Sequence, residues 1–158
     1  MTTVSIPFKA PSPIGPLWVT LSETSVMRLG FGKVRGARVP KGFGGLWKRI
    51  DAQLREYFAG ERRDFDLPLD PPGGTSFQRA VWDALREIPY GQVISYGDLA
   101  AWAGRPKAGR AAGSACGANP IAVLIPCHRV VARGGLGGYG GGLDAKRFLL
   151  DLERGAPE

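Results

Sequence analysis

A chain of 158 residues with 44% apolar and 22% charged residues has enough to bury one real core, as one domain or one and a half. No apolar run reaches the eighteen or so residues that cross a bilayer. The start, MTTVSIPFKA, lacks the basic-then-apolar pattern of a secretion signal, so a cytoplasmic protein with reduced thiols is expected. The net charge of +7 points to an anionic partner, and one histidine with two cysteines is too few for a four-ligand zinc site without Asp or Glu, so no metal is expected.

Residues 1–40 read as short strands. LWVTLSE (17–23) and SVMRLGF (25–31) are rich in strand-forming side chains and are separated by Thr24 alone. The period then changes: Leu46, Ile50, Leu54 and Phe58 lie four apart, which predicts a helix over LWKRIDAQLREYF closed by Gly60. RRDFDLPL reads as a last strand. Asp70-Pro-Pro-Gly-Gly74 breaks the chain and is taken as a linker, dividing it into residues 1–72 and 73–158.

Beyond the linker, Thr75 is placed to cap a helix carrying Phe77, Val81, Leu85 and Ile88, ended by Pro89-Tyr-Gly91. Ser95 caps a short helix, YGDLAAWA, stopped by Gly104. Pro106 opens another, PKAGRAAGSACG. Two short helices so joined suggest a helix-turn-helix, with an Ala/Gly face from which Arg110 projects. Tight helix–helix packing explains the small residues equally well. The charge distribution favours DNA: no carboxylate lies between Asp98 and Asp144, while Arg105, Lys107, Arg110, Arg129 and Arg133 do. A second acid-free stretch, Thr24 to Ile50, holds seven more cations. NPIAVLIPCHRVV is an apolar, strand-like run, and GGLGGYGGG (134–142) is a pliable loop around Tyr139. A final helix, LDAKRFLLDLERG, puts Ala145, Phe148, Leu149 and Leu152 on one face.

The chemistry gathers at IPCHRVV (125–131), where the only histidine follows a cysteine. A thiol is a nucleophile only as the thiolate, and an imidazole can take its proton. Neighbours in sequence do not share a face, so either the backbone turns sharply after Pro126 or a water joins sulfur and ring. A nucleophile–base pair also needs an orienting acid. None lies nearby in sequence; Glu153 is the best placed, with Asp151 second. Cys116, on an Ala-rich helix, reads as a buried, inert thiol.

IPCHRVV, with Asn119-Pro120 before it and ISYGDLA and RPKAGRA earlier, resembles the O6-alkylguanine-DNA alkyltransferases (methylated-DNA–protein-cysteine methyltransferases). The likeness runs from about Phe77 to Glu153 and extends weakly to SPIGPLWVTLSE and LREYFAG. It implies an α+β or α/β chain: a small ribonuclease-H-like N-terminal domain and a C-terminal winged-helix domain. It also implies single-turnover transfer of an alkyl group from O6 of a flipped guanine in double-stranded DNA to the protein's own cysteine, without a cofactor.

By that resemblance Cys127 is the acceptor, His128 draws off its proton through a water, Glu153 holds His128 and Asn119 braces the turn. Tyr96 protonates the departing guanine and crowds the phosphate, and Arg110 fills the gap in the stack. Gly97, Arg105, Lys107, Ala111, Gly113 and Arg133 complete the DNA face, and Val130, Tyr139, Gly140 and Gly141 the base pocket. The expected partner is duplex DNA carrying the lesion, bound by a monomer, with cooperative binding left open. Many members carry serine where this chain has Gly140, and the zinc ligands of the vertebrate proteins are unmatched. Relatives that only bind lesions replace the cysteine with tryptophan; this chain keeps it.

Overall fold

The computed structural model describes residues 2–36 and 38–155. Three strands, β1 (Val4–Lys9), β2 (Pro16–Leu21) and β3 (Val26–Phe31), form an antiparallel sheet in that order. Alternation assigns its faces: Leu17, Val19 and Leu21 of β2 point into the core with Ile6, Phe8, Val26 and Leu29. Helix α1 (Gly44–Phe58) buries Leu46, Ile50, Leu54 and Tyr57 in the same core, and Phe58 stacks on Phe8 of β1 with ring centroids 6.2 Å apart.

The free edge of β3 is where the two halves of the chain join. Residues 68–70 pair with Val26, through Val26 N–H to Pro68 O (2.8 Å) and Asp70 N–H to Val26 O (2.8 Å). Residues 120–122 pair with Leu29, through Leu29 N–H to Pro120 O (3.0 Å) and Ala122 N–H to Leu29 O (3.1 Å). The strand expected over RRDFDLPL is thus reduced to one bridge at Leu69. The apolar run NPIAVLIPCHRVV is a series of turns, with only its last two residues, Val130–Val131, in a strand. It is buried from Ile121 to Val130 because surrounding elements cover it on every side, so it needs no ladder of its own.

Past the linker, α2 (Ser76–Leu85) opens with a reciprocal capping box between Thr75 and Gln78 and ends at Leu85, before the Pro89-Tyr-Gly91 expected to stop it. Ile88 stays buried beyond the helix. Ser95 and Asp98 make a second capping box at α3 (Tyr96–Trp102). α4 spans Gly109–Gly117, so Pro106 precedes the helix instead of opening it, and six residues separate α3 from α4. Trp82 of α2 donates its indole N–H to Ala115 O (2.9 Å), fixing α4 against α2. A parallel pair of two-residue strands, β4 (Ile94–Ser95) and β5 (Val130–Val131), sets the start of α3 beside the segment that follows His128. α5 (Leu143–Arg154) closes the fold. Among the described residues no helix is long and apolar enough to cross a membrane, and no three His, Cys, Asp or Glu side chains are grouped to hold a metal.

Candidate active site

Cys127 opens a single 3-10 turn, Cys127–Arg129, directly after Pro126. The sharp turn is therefore the device that lets neighbours with divergent side chains serve one site. Asn119 braces the approach from both sides: its amide donates to Ile125 O (2.9 Å) and its carbonyl accepts Ile121 N–H (3.0 Å). Between them Val123 is held at φ 69°, a conformation that a β-branched residue adopts only under constraint.

His128 is fully buried, and its Nε2 lies 2.7 Å from Glu153 Oε2. The carboxylate is also bound by Tyr57 O–H (2.6 Å) and by Arg129 through Nε (2.7 Å) and Nη2 (3.1 Å). Burial pushes the Glu153 carboxyl up, but the hydrogen bonds and charges of His128 and Arg129 outweigh it and hold it at about 2. Burial lowers His128 despite Glu153, so the ring is neutral near neutral pH and Arg129 carries the countercharge. A carboxylate only accepts, so Nε2 bears the proton. Nδ1 is then a lone-pair acceptor, buried and without a protein partner.

Cys127 is 9% exposed and lines a cleft of about 440 Å³. Its thiol is held below the ordinary range, first by the Cys116 thiol, then by Asn119 and Lys146, against an upward push from burial. Cys116 is pushed far up by the same contact and by burial. Lys146, fully buried on α5, reaches the carbonyls of Val130 (2.6 Å), Gly138 (3.1 Å) and Leu136. Three carbonyls use all three N–H bonds of an ammonium, so the side chain stays charged although burial lowers its pKa. It ties the glycine loop to the segment after Cys127.

The rest of the cleft is drawn from both halves. Tyr96 stands at the start of α3, half-buried, flanked by the backbone of Gly113 on α4 and Gly137 in the loop. A Cβ at Gly137 would lie 2.8 Å from the Tyr96 hydroxyl. Tyr139 turns its hydroxyl inward, where it has no protein partner, and meets Phe31 of β3 edge-on at 5.5 Å. Gly140 lines the cleft, whereas Gly141 packs on the Phe31 ring, where a Cβ would come within 2.7 Å of it. Val130, expected in the pocket, is fully buried outside the cleft, its carbonyl taken by Lys146.

Of the expected DNA face, Gly97, Arg105, Lys107, Arg110, Ala111 and Arg133 are exposed, and Arg105 rests over the Phe77 ring at 4.9 Å. Arg129, counted among the surface cations, is instead the buried partner of Glu153. A larger cleft of about 720 Å³ opens behind α5 between Pro11, Arg63 and Tyr90, but neither Cys127 nor Cys116 lines it.

Sequence reasoning missed Tyr57, Lys146 and Phe31, and took Arg129 for a cation of the DNA face. Only Lys146 left a signal. Lys146, Leu149, Leu150 and Glu153 fall at i, i+3, i+4 and i+7, a buried stripe with a charge at each end.

Two family profiles match the chain: the ribonuclease-like domain of 6-O-methylguanine DNA methyltransferase over residues 9–71, and its DNA binding domain over 76–155. A methylated-DNA–protein-cysteine methyltransferase of Methanosarcina acetivorans is 46% identical over 90% of this chain and 94% of its own. One from Haemophilus influenzae is 44% identical over 91% and 83%. The crystal structure of Mycobacterium tuberculosis O6-methylguanine methyltransferase superposes with a TM-score of 0.83 at 41% identity, covering 99% of this chain and 96% of that one. The M. tuberculosis protein in complex with DNA gives 0.81 at 42%, covering 97% and 94%.

Proposed function

The chain belongs to the 6-O-methylguanine DNA methyltransferase family and repairs DNA by alkyl transfer, and from that premise we propose which residues carry the reaction. Cys127 attacks the alkyl carbon on O6 of guanine. The carbon–sulfur bond forms as the carbon–oxygen bond breaks, and the electron pair leaves with guanine. His128 takes the thiol proton at Nδ1 through a water, Glu153 fixes the ring's tautomer, and Tyr96 returns a proton to the leaving base. The product is a thioether with no easy leaving group, so each molecule acts once.

The observation that carries this reading is the 2.7 Å bond from His128 Nε2 to Glu153, which leaves Nδ1 a free acceptor on the residue next to a cysteine that lines a cleft. An alkyl carbon inside a duplex is out of reach of that thiol, so the base is flipped into the cleft between Tyr139 and Tyr96 at a cost of a few kcal/mol. Arg110 enters the gap from α4, while Gly97, Arg105, Lys107, Ala111 and Arg133 face the backbone. The solved complex of the M. tuberculosis relative with DNA supports DNA as the partner. Residues 1–72 are read as the ribonuclease-H-like domain and 73–158 as the winged-helix domain, in a cytoplasmic monomer.

Intact mass after incubation with a duplex carrying O6-methylguanine tests the reading. One added methyl group mapped to Cys127, with no second round, is expected, and Cys127→Ser should bind the duplex without gaining it. Tight binding with an unchanged mass would make the protein a lesion sensor.

A further inference from the structure

The chain's two cysteines share one wall of the cleft. Cys116 comes from the last turn of α4 and Cys127 from the 3-10 turn, and the Cys116 thiol donates to the Cys127 carbonyl at 3.7 Å. Both thiols are free, at 7% and 9% exposure, and both open onto the same 440 Å³ space. Alkyl transfer uses one sulfur. The reaction described above gives the second no task.

We propose that Cys116 and Cys127 form a reversible oxidation site for hydrogen peroxide, with Cys116 as the resolving thiol and an intramolecular disulfide as the product. The Cys127 thiolate attacks one peroxide oxygen. The S–O bond forms, the O–O bond breaks, and hydroxide leaves, so sulfur loses two electrons and peroxide gains them. Cys116 sulfur then attacks the sulfenic sulfur, forming S–S as S–O breaks, and its proton leaves with the hydroxyl as water. Two thiols and one peroxide give one disulfide and two waters, and an external dithiol reverses it.

Three features favour this path. The Cys116 sulfur already touches the Cys127 peptide, at 3.7 Å from its carbonyl oxygen, so the two thiol-bearing residues are in direct contact in the resting fold. The Cys127 thiol is held low, which supplies the thiolate that peroxide needs. Peroxide is also smaller than any base the cleft admits. Without a resolving thiol a sulfenic acid proceeds to the sulfinic acid, which is irreversible and would waste a protein that acts once. Disulfides inside cells are typically transient and redox-sensing, which fits a pair that is free at rest.

The test uses the full chain without DNA. Wild type, Cys116→Ala and Cys116→Ser are each treated with a small excess of hydrogen peroxide, quenched with catalase and weighed intact, with peptide mapping. Alkyl transfer is then measured before and after dithiothreitol, each protein against its own untreated sample. Wild type should lose two hydrogens, show a Cys116–Cys127 linked peptide, and lose transfer completely until the reductant restores it. Both variants should gain two oxygens on Cys127 and stay inactive. The proposal is overturned if wild type stays unmodified, takes up oxygen as the variants do, or links two chains instead of two residues. Because mass and linkage are read without substrate, they stand whether or not Cys127 proves to be the alkyl acceptor.

Discussion

Glu153→Gln probes a buried carboxylate that gathers side chains from three parts of the chain. The carboxylate is 5% exposed and accepts from Tyr57, His128 and twice from Arg129. The amide removes the charge, leaves the Arg129 guanidinium buried without its anion, and aims an N–H₂ at donors. Breaking a buried pair in this way costs about 3 to 5 kcal/mol. An independent figure comes from the carboxyl itself, held at about 2 in the fold against an ordinary 4.5. At 1.36 kcal/mol per pH unit that difference is worth about 3 kcal/mol.

A lowered carboxyl stabilises the fold fully above pH 4.5, and the stabilisation is lost as pH falls through 2. Urea unfolding of wild type and variant should therefore differ by about 3 to 5 kcal/mol at pH 7. The gap should narrow by about 1 kcal/mol at pH 3.5, where unfolded chains bind the proton that the native carboxylate still refuses. Single-turnover alkyl transfer should fall about 10²-fold in the folded variant, because the imidazole loses the charged acceptor that selects its tautomer. A gap under about 1 kcal/mol at pH 7, or one that does not change with pH, would refute the description of Glu153 as an ionised hub.

Four further outcomes are expected. Lys146→Met leaves the carbonyls of Val130, Leu136 and Gly138 without their donor. It should cost about 3 kcal/mol in urea unfolding and speed amide exchange across residues 134–142. The acid limb of its pH–rate profile should move to higher pH, because the thiol loses a cation that lowers it. Gly141→Ala brings a Cβ within 2.7 Å of Phe31 and should slow transfer in the same assay. Binding to undamaged duplex should weaken steeply with salt, by about 10³-fold or more between 50 and 200 mM. Arg110→Ala, on an exposed position of α4, should slow transfer more than it weakens that binding.

The elements that reveal themselves in sequence are those whose signal is local. Thr75 and Ser95 cap where side-chain chemistry says they should, and the four-residue spacing of α1 is a property of the segment alone. NPIAVLIPCHRVV misleads because burial on all sides has the same composition whether the backbone is strand or turn. The IPCHRVV motif is continuous, and Glu153 is an acid on the closing helix that must return to it, so both can be named. Tyr57 and Phe31 cannot. Each reaches the site across a long stretch of chain, and nothing around it distinguishes a working side chain from a packed one. Arg129 is misjudged for a related reason: an acid-free stretch shows where carboxylates are missing locally, not which distant one will fold onto it.

Tyr57 rises from α1, crosses the seam and holds the same oxygen that His128 holds. Phe31 comes from the opposite end of the sheet to wall the cleft. Cutting the chain at residues 70–74 would therefore yield a downstream fragment with its nucleophile but with an under-coordinated acid and an open flank. Swapping the upstream half between relatives is a test of fit at an aromatic hydroxyl and a phenyl edge, and a donor half lacking either should produce chimaeras that fold yet repair poorly.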